Sequence, residues 1–307
     1  MVPLDGSALA EAATGPAARL AARHGIGLHL ARVVSNLPPA ALAVDAMDLA
    51  ARWIEDEEAR ASAYLEEVKS RISAEPGALD VSAHVRVGPT AKSLVGLAGE
   101  LKVSLIVLTT HGRGAWERAW FGSVADQLLR TAPIPLLLLR AGTDASRVFA
   151  DESYPRHVFV PLDGSLASEE ILVVLPRILS ENERRVTLAT ILHRPVSVPP
   201  LPVPNADSGR DPLRDEEMRA RRYLERLGER LRADRMGRVE LLIKESTDVA
   251  RSLLESCAHL DVDLIALSTR GRGAVGRFFV GSVADKVIRG SETAVLAVCS
   301  PDREDEG

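Results

Sequence analysis

The chain has 307 residues, 46% of them apolar and 26% charged, with a formal net charge of −5. That length suits two ordinary domains, and the composition is that of a folded chain rather than a disordered one. Scattered positive charge on a net acidic chain argues against a nucleic-acid or anionic-membrane partner. No apolar run approaches the ~20 residues of a membrane span, and the start MVPLDGS has neither the basic nor the apolar region of a secretory signal, so a cytoplasmic protein is expected.

The chain opens on Val2-Pro3-Leu4-Asp5-Gly6-Ser7, which leaves only a truncated first strand ahead of Asp5. Further strands are predicted over 28–34, 81–87, 105–109 and 134–140, and the acidic run 55–60 reads as the solvated face of a helix. After the strand ending at Thr109 comes a polar loop through Gly112, then Gly122-Ser123, where Ser123 is placed as the N-cap of a helix. A polar linker over 143–155 follows. Beyond it a strand is predicted over 158–162, a helix over 165–180 capped by Ser165, and a strand over 186–192. A Pro-rich loop leads to a charged helix over 215–233, a strand over 239–245, a helix over 248–260 and a buried strand over 263–268. Then come a second Gly-rich loop, a helix from Ser282, a last strand over 293–299 and a short acidic tail, 302–307. Cys257 and Cys299 lie on helical and strand patterns and read as buried thiols, with no disulfide framework and no metal cluster.

The two halves are one unit written twice. VPLDGS occurs at 2–7 and again at 160–165, and HGRGAWERAWFGSVADQLLR from His111 aligns with RGRGAVGRFFVGSVADKVIR from Arg270. Domains are therefore set at 1–142 and 156–301. Strand and helix alternate in each, and the strands are mostly continuous apolar runs. That pattern calls for an α/β fold: a doubly wound, Rossmann-like parallel sheet with both faces covered.

Each unit repeats a strand-end turn followed by Gly-Ser at a helix start. A helix N-terminus offers unpaired N–H donors and partial positive charge, and glycine lets a ligand approach the backbone, so the loops suit a phosphate. Gly112, Gly122 and Ser123 form one set; Gly271, Gly281 and Ser282 form the other. Gly271, Gly273 and Gly276 also spell G-x-G-x-x-G, but that dinucleotide signature belongs after the first strand, not the fourth. No P-loop sequence is present. In doubly wound sheets ligands bind beyond the carboxyl ends of the strands at the switch point. If the first strand lies beside the fourth, Asp5 and Asp163 meet these loops and can accept a hydrogen bond from a base or ribose. Arg113 and Arg272 recur beside the glycines as candidate phosphate contacts. No nucleophile–base pair and no catalytic residue is identified.

V-P-L-D-G-S at the first strand with G-x9-G-S-V-A-D after the fourth resembles the universal stress protein family, over nearly the whole chain as two tandem domains. The resemblance implies a five-stranded parallel sheet in order 3-2-1-4-5, and an ATP site in one branch of the family. By position, Asp5 and Asp163 would contact the adenine, and Val33 and Ile191 would pack near the base. The glycines and serines would hold the phosphates, with Mg2+ riding on them. Thr109 and Ser268 stand where that branch has its first motif glycine. The function expected is a stress-response protein that binds ATP with little or no hydrolysis. The alternative is an assembly module that works through its dimer surfaces, without nucleotide. The apolar last strands are expected to pair the two domains within the chain, and further pairing into a homodimer is expected.

Overall fold

Continuous apolar runs become buried parallel strands in both halves of the chain. The computed structural model describes residues 1–35, 47–74, 79–110, 122–140, 148–150, 154–179, 184–194, 212–270 and 280–299. The chain separates into two units, Met1–Glu152 and Ser153–Gly307.

Unit 1 runs β1 (Val2–Pro3), α1 (Ala8–Glu11), α2 (Thr14–His24), β2 (Leu28–Val34), α3 (Met47–Ser73), β3 (Val81–Val87), α4 (Thr90–Glu100), β4 (Ile106–Thr110), α5 (Ser123–Thr131) and β5 (Leu136–Arg140). β1 pairs with β2, Val2 opposite Leu30, and β2 with β3, Leu28 opposite Val81. β4 pairs with β5, Ile106 opposite Leu136. Met1 joins the two sets. Its amino group donates to the Leu105 carbonyl at 2.9 Å, and its own carbonyl accepts from the Val107 N–H at 2.9 Å. The order is therefore 3-2-1-4-5, all parallel. β1 is only two residues long, yet Val2 is 0% exposed, so the shortest strand is the centre of the sheet.

Unit 2 repeats the plan with β6 (His157–Pro161), α6 (Leu166–Glu169), α7 (Ile171–Ile178), β7 (Arg185–His193), α8 (Pro212–Ala233), β8 (Arg238–Ser246), α9 (Val249–His259), β9 (Leu264–Ser268), α10 (Ser282–Gly290) and β10 (Ala294–Val298). Its parallel order is β8-β7-β6-β9-β10, again 3-2-1-4-5. The central strands are buried on both faces, which is why they read as unbroken apolar runs. β3 and β8 have a strand neighbour on one side only within their units, and most of their residues are half-buried.

Two local features depart from the sequence expectation, and the cysteines match it. The single helix expected over 165–180 is two, α6 and α7. Its first turn tightens, with Ser168 N–H reaching Ser165 O and Glu170 N–H reaching Ala167 O, while the Ser168 hydroxyl also donates to Ser165 O. Unit 1 breaks at the same place, between α1 and α2. Asp263, expected to open a strand, instead accepts the N–H groups of Arg156 and His157 on Oδ2 at 2.8 and 2.9 Å. Cys257 and Cys299 are both buried free thiols, and burial pushes the Cys257 thiol up to about 12.

Candidate functional site

The repeated hexapeptide forms the same corner in both units. Leu4 N–H donates to Ala31 O and Leu162 N–H to Ala189 O, each at 2.8 Å, which carries the pairing one residue past the strand. The chain then turns at Gly6 (φ 91°) and Gly164 (φ 83°). This is the region where a side chain is strained, so the turn requires glycine. Ser7 and Ser165 follow as N-caps, accepting from Ala10 N–H and Ser168 N–H at 3.1 Å.

The aspartates are held by the residue they precede. Asp5 Oδ1 accepts the Ser7 N–H at 2.8 Å. Asp163 Oδ1 accepts both the Ser165 N–H, at 2.9 Å, and its hydroxyl, at 2.6 Å. Partial burial works to raise the Asp5 pKa, but hydrogen bonds from Ser7 and the charge of Arg32 together outweigh it. The carboxyl ends below its ordinary value, as a fixed anion at the end of the first strand.

The second strand supplies an apolar shoulder. Val33 and Ile191 each lie two residues beyond the carbonyl that takes the last β1 or β6 bond, and both are half-buried. The fourth strand supplies a hydroxyl. Thr109 Oγ1 donates to the Leu9 carbonyl of α1, which ties the end of β4 to the helix that starts from the Asp5 corner. Ser268, buried at the end of β9, accepts the Arg270 N–H on Oγ at 3.4 Å.

The helix starts differ from expectation by one residue. Gly122 and Gly281, not the serines, are the N-caps of α5 and α10; Ser123 and Ser282 are the first helical residues. A serine one position into the helix sits too far along to cap it. Neither helix has a side-chain cap, so first-turn N–H groups are left for another acceptor. Gly281 N–H donates to Thr269 O at 2.7 Å, which fixes the start of α10 against the end of β9. Asp126 and Asp285 lie in these first turns, each ion-paired one turn on, to Arg130 and Arg289. Gly112, Gly271, Arg113 and Arg272 lie outside the described residues.

Other residues at the corner were not anticipated from the sequence. In unit 1 the Arg32 guanidinium lies 5.0 Å over the ring of Tyr64, and its Nη1 is 3.4 Å from where a Gly6 side chain would begin. The Tyr64 hydroxyl donates to Glu11 at 2.9 Å, and Arg71 pairs with the same carboxylate at 2.6 Å. Burial, then Glu11, push the Tyr64 pKa up. Tyr223 is its counterpart: its buried hydroxyl faces Ser168 and Glu169, it lies close enough to Asp163 to feel that charge, and burial pushes it up to about 12. The signal was present, since Tyr-Leu-Glu recurs at 64–66 and 223–225. At the place of Arg32, unit 2 has Thr190, which donates to Leu162 O at 3.0 Å.

Among the described residues no cluster of three or more His, Cys, Asp or Glu is assembled for a metal, and no helix is long and apolar enough to cross a membrane.

Comparison with known proteins agrees with this architecture. The sequence matches the universal stress protein family over residues 1–140 and again over 155–298. It is similar to a universal stress protein of Mycolicibacterium smegmatis, 26% identical over 304 residues and covering 97% of this chain and 96% of the relative. It is equally similar to universal stress protein Rv2623 of Mycobacterium tuberculosis, 26% identical over 298 residues, with 96% and 94% covered. Among solved structures, the fold superposes on a universal stress protein from Archaeoglobus fulgidus with a TM-score of 0.65, 17% identity and 97% of both chains covered. The chain belongs to the universal stress protein family and carries two of its domains in tandem.

Proposed function

We propose that this stress protein binds an adenine nucleotide, ATP, at the carboxyl end of the sheet between the first and fourth strands of each unit. It would act there as a regulatory module with little or no hydrolysis. The observation that carries the proposal is the duplicated corner. An oriented aspartate ends the first strand, and a helix with a glycine N-cap and no side-chain cap starts beyond the fourth. A carboxylate suits the amino edge of a base or a ribose hydroxyl. Val33 and Ile191 offer apolar surface to the base, and the first-turn N–H groups of α5 and α10, which no cap side chain covers, suit phosphates, which can carry Mg2+. Thr109 and Ser268 stand at the ends of the fourth strands. The hydroxyls described at each corner serve as caps, turns and strand ties, which supports binding rather than turnover.

Unit 2 is the stronger site in this reading. Asp163 ends a five-residue strand where Asp5 ends a two-residue one, and Thr190 turns inward where Arg32 crowds the Asp5 corner.

The test is to denature the purified protein, chromatograph the released small molecules, and titrate the nucleotide-free chain with ATP. Adenine nucleotide in the supernatant or saturable ATP binding is expected. No co-purified nucleotide together with no binding at millimolar ATP would sink the proposal.

A further inference from the structure

Unit 1 carries a second polar cluster, away from the corner, on β2 and β3. The parallel register sets His29 opposite Ser82 and Ala31 opposite His84, so the side chains of His29, Ser82 and His84 emerge on one face of the sheet. Nδ1 of His29 lies 3.2 Å from Nε2 of His84. The Ser82 hydroxyl lies 2.6 Å from the first and 3.1 Å from the second. The rings are tilted at 58° with centroids 5.2 Å apart, and both are half-buried.

Three polar atoms in mutual contact make three short approaches. With both rings neutral, the triangle holds only the serine proton and whichever ring proton points inward, so not every approach is a full hydrogen bond. A cation resolves the arrangement, because both ring nitrogens can then present lone pairs. The spacing fits one: two nitrogens each 2.0–2.1 Å from a tetrahedral zinc ion stand about 3.3 Å apart. The Asp80 carboxylate lies close enough to His29 for its charge to be felt there, which favours a cation.

The duplicated unit acts as an internal control. By strand register, Thr187 stands where His29 does, Glu240 where Ser82 does and Leu242 where His84 does. The sheet is built in unit 2 without this trio, so the fold itself does not require it.

We propose that His29 Nδ1 and His84 Nε2 form a two-histidine site for a divalent transition metal of the zinc class. The Ser82 hydroxyl contacts the ion or its water, and solvent completes the shell. Paired imidazoles suit Zn2+, Cu2+ and Ni2+ rather than Mg2+ or Ca2+. The site is independent of the nucleotide proposal.

The test uses the full chain without a polyhistidine tag, titrated with ZnCl2 by calorimetry at pH 7.5. One equivalent is expected to bind, with His29→Ala and His84→Ala each weakening it by about 10- to 100-fold or more and ATP titration unaffected. Absence of Zn2+ binding, or binding that survives both substitutions, would overturn the proposal. If either variant fails to fold, imidazole nitrogen spectra of the unmodified chain decide the matter. Zn2+ must move the His29 and His84 ring resonances; movement confined to other histidines overturns the site.

Discussion

Thr109 donates to the carbonyl of Leu9, a hundred residues earlier in the chain. The bond answers a vacancy in the helix. Ala12 N–H takes Ala8 O, but Ala13 N–H turns to Ala10 O, so the helical ladder skips the Leu9 carbonyl at the break between α1 and α2. The residue that departs from the family's motif glycine thus anchors the helix that starts from the Asp5 corner. Thr109→Val keeps the shape and removes the donor. It is expected to lower stability by about 1–2 kcal/mol, the worth of the bond plus part of the cost of a stranded carbonyl. Urea unfolding at fixed pH measures this, and an unchanged midpoint would mean that water replaces the threonine without loss.

The two corner glycines make a paired prediction. Gly6 and Gly164 sit at φ 91° and 83°. An alanine at either place adopts a conformation that costs roughly 1–2 kcal/mol. At Gly6 the new methyl would rest in van der Waals contact with the Arg32 guanidinium, 3.4 Å away, so the backbone sets the cost. Gly6→Ala and Gly164→Ala should both destabilise by that amount, and calorimetric melting of the two single variants measures it; an unchanged melting temperature in either would show that its turn relaxes without strain.

Much of this was legible in the sequence because the same signals appear twice. The strands at 28–34 and 81–87 match the expected bounds residue for residue, since apolar and β-branched runs there are flanked by clear turn residues. The strand order followed from the family resemblance, and the Met1 bonds to β4 supply its physical cause. What was not legible depends on side-chain direction. Ser123 and Ser282 look like caps in a one-dimensional string, but the helix begins one residue earlier than that reading needs. Arg32 has no counterpart in unit 2, so the repeat gave no hint that it lies beside Gly6 and over Tyr64. Tyr64 and Tyr223 were visible as a repeated triplet, but only the packing of α3 and α8 brings them to the corner.

The proposed nucleotide site makes a sharp demand on Asp163. Its Oδ1 is held by the Ser165 N–H and hydroxyl. Asp163→Asn keeps that acceptor and so keeps the turn, but it places an amide NH2 where the second carboxylate oxygen stood. A base amino group then meets a donor instead of an acceptor. ATP affinity of unit 2 should fall by about ten-fold or more, the value of a hydrogen bond to a charged group, while the melting temperature changes little. Asp5→Asn should have the smaller effect on total binding. Equal losses from the two variants would contradict the ranking of the sites, and no loss from either would remove the aspartates from the nucleotide's contacts.

The buried amino group of Met1 makes stability depend on pH in a defined window. Burial lowers its pKa from 8.0 to about 5. Between those values the unfolded chain binds a proton that the folded chain does not, so stability rises with pH across the window and falls as the solution is acidified. Burial also lowers His29, His84 and His157 from 6.5, and these add to the loss below that pH. The unfolded histidines still hold protons for about a pH unit above 6.5, so among these four groups Met1 dominates the slope only between about pH 7.5 and 8, at about 1 kcal/mol per pH unit. On the alkaline side burial raises Cys257, Cys299, Tyr154 and Tyr223, so the unfolded chain loses protons first and stability declines again. The optimum should lie near pH 8. Acetylating the amino group leaves a neutral N–H to donate to the Leu105 carbonyl, so it should flatten the curve between about pH 7.5 and 8 and make it shallower below, where the histidine-dependent fall remains. Urea titrations of the free and acetylated chains at pH 6.5, 7, 7.5 and 8 test this directly, and parallel slopes in the two between pH 7.5 and 8 would show that the amino group stays charged in the folded sheet.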